Sequence, residues 1–125
     1  MSDFLDELKP IFLGEVKELY SQWQGELAKL DQDAGLDLSE IYRAVHTMKG
    51  SGETAGFDAF GAFAKEVETF VIKLKNSGAP VSADALALLH RADQDISAFL
   101  QVIQEDASGV HPTEALVADL NSFAV

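Results

Sequence analysis

The sequence predicts an all-α fold: an antiparallel up-and-down four-helix bundle with a short additional C-terminal helix. Three observations carry this reading. Apolar residues recur every three to four positions through four long segments. No stretch alternates apolar and polar residues for long enough to propose a strand. The breaks between the long segments are short, and short connections between long helices make sequential neighbours antiparallel. A length of 125 residues suits one domain with a single core, and 47% hydrophobic residues argue against disorder. The domain is read as residues 1–125, with its core from about residue 10 to about residue 106. Residues 107–125 are read as a short terminal helix or the start of a linker.

In the first segment Pro10 reads as the first helical residue, where its missing N–H costs nothing. Ile11, Leu13, Val16, Leu19, Tyr20, Trp23, Leu27 and Leu30 continue at helical spacing, and residues 2–9 add a turn before them. Residues 31–37, with Gly35, form the first break. Asp37 or Ser39 caps the second helix, which runs to about Ala55 and stops at Gly56 as its C′ glycine. Asp58 is read as the cap of the third helix. Phe60, Phe63, Ala64, Val67, Val71 and Leu74 form its apolar seam, and Asn76 to Pro80 end it. Ser82, with Asp84 nearby, starts a fourth helix whose core positions are Leu86, Leu89, Ile96, Phe99, Leu100 and Ile103. After a break at Ser108-Gly109, Pro112 opens a short last helix with Leu116, Val117, Leu120 and Phe123.

Composition narrows the function. A net charge of −12 argues against nucleic acid and against anionic membrane surfaces, both of which recruit lysine and arginine. No apolar run approaches a membrane span, and the acidic start Met1-Ser2-Asp3-Phe4 lacks the pattern of a secretory signal, so a cytoplasmic setting is expected. With no cysteine there is neither a disulfide nor a thiolate metal site. His46, His90 and His111 lie on separate elements without paired spacing, so no metal site is expected. His90 and His111 read as ordinary rim residues.

The segment with chemistry in it is His46-Thr47-Met48-Lys49-Gly50-Ser51 on the second helix. Leu38, Ile41, Val45, Met48 and Ala55 set the apolar face, and His46 falls beside it, roughly 120° from its centre at about 100° per residue. Its neighbours at helical spacing are Tyr42, Arg43, Lys49, Gly50 and Glu53. A histidine so placed is ordinarily a plain surface residue. Here it sits among cations in an acidic chain, beside a glycine that costs the helix about 1 kcal/mol relative to alanine. Keeping the space over the ring open to another protein accounts for that glycine.

The order His-x-x-Lys-Gly-Ser followed by Gly56-Phe57 resembles the histidine phosphotransfer (HPt) family. The lead-in Tyr42-Arg43-Ala44-Val45 fits, as does Val67-Glu68-Thr69-Phe70-Val71 on the third helix. Leu74 to Gly78 and the Leu86–Leu100 helix also fit, and the likeness is greatest to the branch at the N-terminus of the chemotaxis histidine kinase CheA. It extends from about residue 10 to about residue 103. The resemblance implies that His46 is phosphorylated on Nε2 and that Glu68 orients the imidazole through Nδ1–H. It also implies that Lys49 neighbours the phosphate and that Gly50 and Ser51, with Tyr42, Arg43 and Glu53 around them, form the face on which partners dock. Lys65 stands where CheA-type domains commonly carry a second histidine, and is a further candidate neighbour of the phosphate.

The implied partners are a histidine kinase catalytic domain, which phosphorylates His46, and a response-regulator receiver domain, whose aspartate takes the phosphoryl group. The chain has no glycine-rich phosphate loop of its own, so Mg2+ and ATP are expected from partner domains and no cofactor from this one. The chain then reads as a phosphocarrier, and as part of a protein histidine kinase if it belongs to a longer CheA-like polypeptide. Two other readings fit the residues: a free-standing phosphorelay protein, and a non-catalytic helical adaptor with the same fold.

Overall fold

The computed structural model describes residues 3–106 and 108–125. Those residues form five helices: α1 (Asp3–Gln32), α2 (Ser39–Thr54), α3 (Asp58–Ser77), α4 (Ala83–Glu105) and α5 (Glu114–Ser122). Helices α1 to α4 close a ring in which α1 packs on α2 and α4, and α3 packs on α2 and α4. Helix α5 lies across the seam between α3 and α4. Each wall contributes large side chains to one core, among them Trp23, Met48, Phe60, Phe70, Phe99 and Leu120. Phe99 is edge-on to Phe60 (ring centroids 5.7 Å apart) and stacked on Phe63 (5.8 Å). Trp23 is fully buried, and its indole N–H donates to Asp93 Oδ1 at 3.2 Å, which ties α1 to α4.

The turn between α2 and α3 positions everything that follows. Gly56 has φ +86°, a left-handed conformation that favours glycine. Its N–H reaches the Glu53 carbonyl at 3.2 Å, and the Phe57 N–H reaches the Gly52 carbonyl at 2.8 Å. These two bonds make a Schellman motif, which uses up the last carbonyls of α2 and reverses the chain at once. Gly56 thus serves as the C′ residue that the sequence predicts.

Several helix boundaries differ from the sequence reading. Pro10 lies inside α1 rather than at its start. The helix begins at Asp3, with residue 2 outside the described residues, and runs on through a proline that has no N–H to donate to the carbonyl four residues back. Ile11 is 65% exposed rather than part of the core. Glu15 faces Ser51 near the end of α2, and Lys17 faces Gln104 near the end of α4, so α1 runs past both neighbours before that level. Asp58 is the first residue of α3 and makes no capping bond. There its charge complements the helix N-terminus. The N-cap position of α2 falls on Leu38, not on Asp37 or Ser39, and carries no side-chain cap. Asp37, one residue earlier, accepts from the Ser39 amide at 2.9 Å and the Ser39 hydroxyl at 2.7 Å. Those bonds hold its carboxyl below the usual range.

The Ser82 hydroxyl caps α4 at the Ala85 amide, as expected. Leu86 sits on the rim, because the inward stripe of α4 runs through Ala85, Leu89 and Ala92. Helix α5 starts at Glu114, two residues after Pro112, and buries Leu116 and Leu120, leaving Val117 and Phe123 partly covered.

Candidate functional site

Helix α2 supplies His46 and Lys49, and α3 brings Glu68 to meet them. Glu68 lies one position past Val67 on the inward stripe of α3, which leaves its side chain only 9% exposed. A carboxylate buried that deeply requires partners. It has two: His46 Nδ1 bonds to Oε2, and the Lys49 ammonium donates to Oε1 at 3.1 Å. Burial pushes the Glu68 carboxyl up, but the bonds from His46 and Lys49, with the Lys49 charge, outweigh it and hold the group below the usual carboxylate range.

This arrangement decides the histidine tautomer. An ionised carboxylate only accepts hydrogen bonds, so the proton between the two groups belongs to Nδ1 of His46. Nε2 then carries the free lone pair. The imidazole side chain is 52% exposed, and among the described residues Nε2 has no protein partner. The site is therefore an unpartnered ring nitrogen on a half-exposed imidazole, backed by a buried anion that stabilises positive charge on the ring.

The other predicted residues separate into those near the ring and those turned away. Tyr42, one helical turn before His46, stacks on it, the centroids 5.4 Å apart and the planes 18° from parallel. Arg43 is exposed and pairs with Glu40 at 3.1 Å. Gly50 is exposed, and a Cβ built there would meet nothing within 4 Å. Glu53 is exposed too, its stem lying over Gly61 of α3.

Ser51 departs from the expected docking face. It is buried, and its hydroxyl donates to Glu15 Oε1 of α1 at 3.0 Å. One residue beyond Gly50 is about 100° around the helix, which turns Ser51 toward α1 and makes it a tie between helices. Lys65 is exposed on α3, and among the described residues its ammonium has no hydrogen-bond or ion-pair partner. The cation that touches Glu68 is Lys49.

Next to His46, an open groove of about 620 Å3 runs between α2 and α3, lined by Ser39, Tyr42, Arg43, Ile72, Lys75 and Asn76. Ile72 is 36% exposed, which is unusual for a large apolar side chain here. Ile72, Lys75 and Asn76 lie off the apolar seam of α3, and the sequence reading missed them. Their spacing of three and four from one another was the available signal. Among the described residues no three His, Cys, Asp or Glu side chains gather to hold a metal. His90 bonds to Asp31 at 2.7 Å, and His111 bonds to Asp95 at 3.1 Å, each tying its segment to a neighbour.

Comparison with known proteins bears on the family and the fold. The Hpt domain family model matches residues 7–107. The chain is 25% identical over 115 residues to the chemotaxis protein CheA of Listeria monocytogenes, covering 90% of this chain and 19% of that protein. It is 28% identical over 125 residues to CheA of Rhizobium meliloti, covering 96% of this chain and 16% of that one. The chain thus spans less than a fifth of the length of these relatives. Among solved structures, the phosphorylated P1 domain of CheA3 in complex with CheY6 from R. sphaeroides superposes with a TM-score of 0.74 at 22% identity, each chain 94% covered. At that identity the likeness speaks for the fold.

Proposed function

Since the chain belongs to the Hpt domain family, we propose that His46 is its phosphoacceptor in a chemotaxis-type two-component relay. The observation that carries this reading is the buried, ionised Glu68 bonded to Nδ1 of a half-exposed histidine, with Nε2 left open. The histidine attacks phosphorus through Nε2 while the bond from phosphorus to the leaving oxygen of ADP breaks, its electron pair departing with ADP. The ring gains positive charge as the new N–P bond forms, and Glu68 stabilises that charge through Nδ1–H. The phosphoryl group then passes to an aspartate of a receiver domain, and the imidazole returns to its starting state. ATP and its Mg2+ are brought by the kinase's ATP-binding domain, which makes this domain a carrier.

The groove beside His46 supports receiver docking. It offers an apolar contact at Ile72 and cations at Arg43 and Lys75, in a chain whose net charge is −12. That is a suitable surface for the acidic surroundings of a phosphoacceptor aspartate. Gly50, with open space above it, lets a second protein approach the ring closely. Similarity to CheA proteins over most of this chain supports a place within a CheA-like kinase in the cytoplasm, and among the described residues no helix is long and apolar enough to cross a membrane.

The deciding experiment is phosphorylation of wild-type and His46→Gln proteins by the cognate kinase with radiolabelled ATP. The variant is expected to take no label while keeping the wild-type helical circular dichroism. Label persisting on a folded His46→Gln protein overturns the assignment.

A further inference from the structure

One hydrogen bond does not fix an imidazole. The bond from Nδ1 to Glu68 selects the tautomer and turns that nitrogen inward, yet the ring can still swing about the line joining Nδ1 to the carboxylate. The direction of the Nε2 lone pair lies in the ring plane, so any such swing re-aims the attacking atom.

The remaining freedom is met by Tyr42. Side chains on a helix lean toward its N-terminus and cover the preceding turn, so the His46 ring is laid back onto the residue four positions earlier. Tyr42 is there, with its ring 5.4 Å from that of His46 and tilted by only 18°. Tyr42 is itself half-buried and packed against the core, and so makes a fixed platform. Among the described residues its hydroxyl has no hydrogen-bond partner, which leaves the ring face as the part that acts on His46.

We infer that Tyr42 is a positioning residue for phosphotransfer, setting the plane of the His46 ring and thereby the line along which Nε2 meets phosphorus. This rests on His46 being the phosphoacceptor, as proposed above. Phosphoryl transfer requires the entering nitrogen and the leaving oxygen to lie in line across phosphorus. When a donor or acceptor domain is docked, the phosphorus is held in place and the ring must point at it. A small diffusing donor adjusts its own approach and has no need of the platform. Tyr42 therefore matters for transfer between docked proteins and not for the intrinsic reactivity of Nε2, which Glu68 governs.

The test compares wild type with Tyr42→Phe, which keeps the ring face, and Tyr42→Leu, which keeps an apolar side chain without one. In the free domain, the NMR order parameter of the His46 Cε1–H bond is expected to stay high in wild type and Tyr42→Phe. In Tyr42→Leu it is expected to fall below about 0.6. With the kinase ATP-binding domain that phosphorylates His46, Tyr42→Leu is expected to lower kcat about twofold to tenfold at unchanged KM, and Tyr42→Phe to restore it. With potassium phosphoramidate as a small donor, all three proteins are expected to react at the same rate. An ordered ring in Tyr42→Leu, or a change confined to KM, overturns the inference. A wild-type protein that takes no phosphate on His46 from either donor overturns the proposed function instead, and the order-parameter comparison still decides what Tyr42 does to the ring.

Discussion

Glu68→Gln separates charge from shape at the site. Glutamine has nearly the same volume, and its amide oxygen still accepts one hydrogen bond, so the packing of α2 on α3 survives. What is lost is the negative charge that holds His46 Nδ1–H and Lys49 together. A hydrogen bond to a charged group is worth about 1.5–3 kcal/mol. The loss is partly offset because a neutral amide is cheaper to bury than a carboxylate. A net destabilisation of about 1–3 kcal/mol at pH 7 is expected, lowering Tm by roughly 3–12 °C in a domain of this size. Removing the partner that orients an imidazole is expected to slow phosphorylation of His46 by about 10–100-fold.

The pH dependence supplies a second arm. The folded-state pKa of Glu68 lies below its unfolded value, so the folded protein holds the ionised form more tightly. The stabilisation is complete above the unfolded value of about 4.3, and it is lost as pH falls through the depressed folded value. Thermal melts of both proteins followed by circular dichroism from pH 7 downward should show the gap in Tm closing on acidification. Phosphorylation would be followed by uptake of radiolabel from ATP with the cognate kinase. A gap that widens at low pH, or a variant labelled at the wild-type rate, refutes the role assigned to this carboxylate.

Two further substitutions probe the surroundings. Gly50→Ala places a methyl group where nothing lies within 4 Å, so it should stabilise the free domain by about 0.5–1 kcal/mol while slowing phosphotransfer to a docked receiver. A lower Tm, or an unchanged transfer rate, contradicts the idea that this glycine keeps ground clear for a partner. Lys73 donates to the carbonyls of Leu120 and Phe123 at 3.1 and 2.7 Å, closing the C-terminal end of α5. Lys73→Met should cost about 1–2 kcal/mol and speed hydrogen exchange of the α5 amides, with His46 phosphorylation unaffected. Slow exchange persisting in α5 shows that the clamp is not what holds that helix.

Helical periodicity made the architecture legible because each long helix buries one stripe against a single core, and the buried residues of α3 repeat the predicted seam from Phe60 to Leu74. What periodicity left out is where a neighbouring helix ends. Ile11 continues the α1 pattern and is nevertheless exposed, since nothing in the pattern of α1 encodes the level at which α2 and α4 stop. The local preference of Pro10 points to a helix start, whereas α1 already runs from Asp3 and continues through it. In the candidate site, His46 meets Glu68 as the family resemblance implies, while the bond from Lys49 to the same carboxylate is a finding of the structure. The resemblance places Ser51 with Gly50 on the docking face, yet one step along a helix turns a side chain by more than a quarter circle, and Ser51 bonds to α1 instead. The stack of Tyr42 on His46 was within reach of the same helical arithmetic, but only coordinates show that the two rings lie parallel.

The Schellman turn at Gly56 and Phe57 also bears on how the site comes together during folding. Histidine and carboxylate lie 22 residues apart on consecutive helices, so bringing them into contact closes one short loop, and loop-closure entropy grows only with the logarithm of loop length. The proposed site thus sits within one helical hairpin of low contact order. Helices α4 and α5, which enclose the rest of the core, add nothing to the entropy of assembling His46 with Glu68.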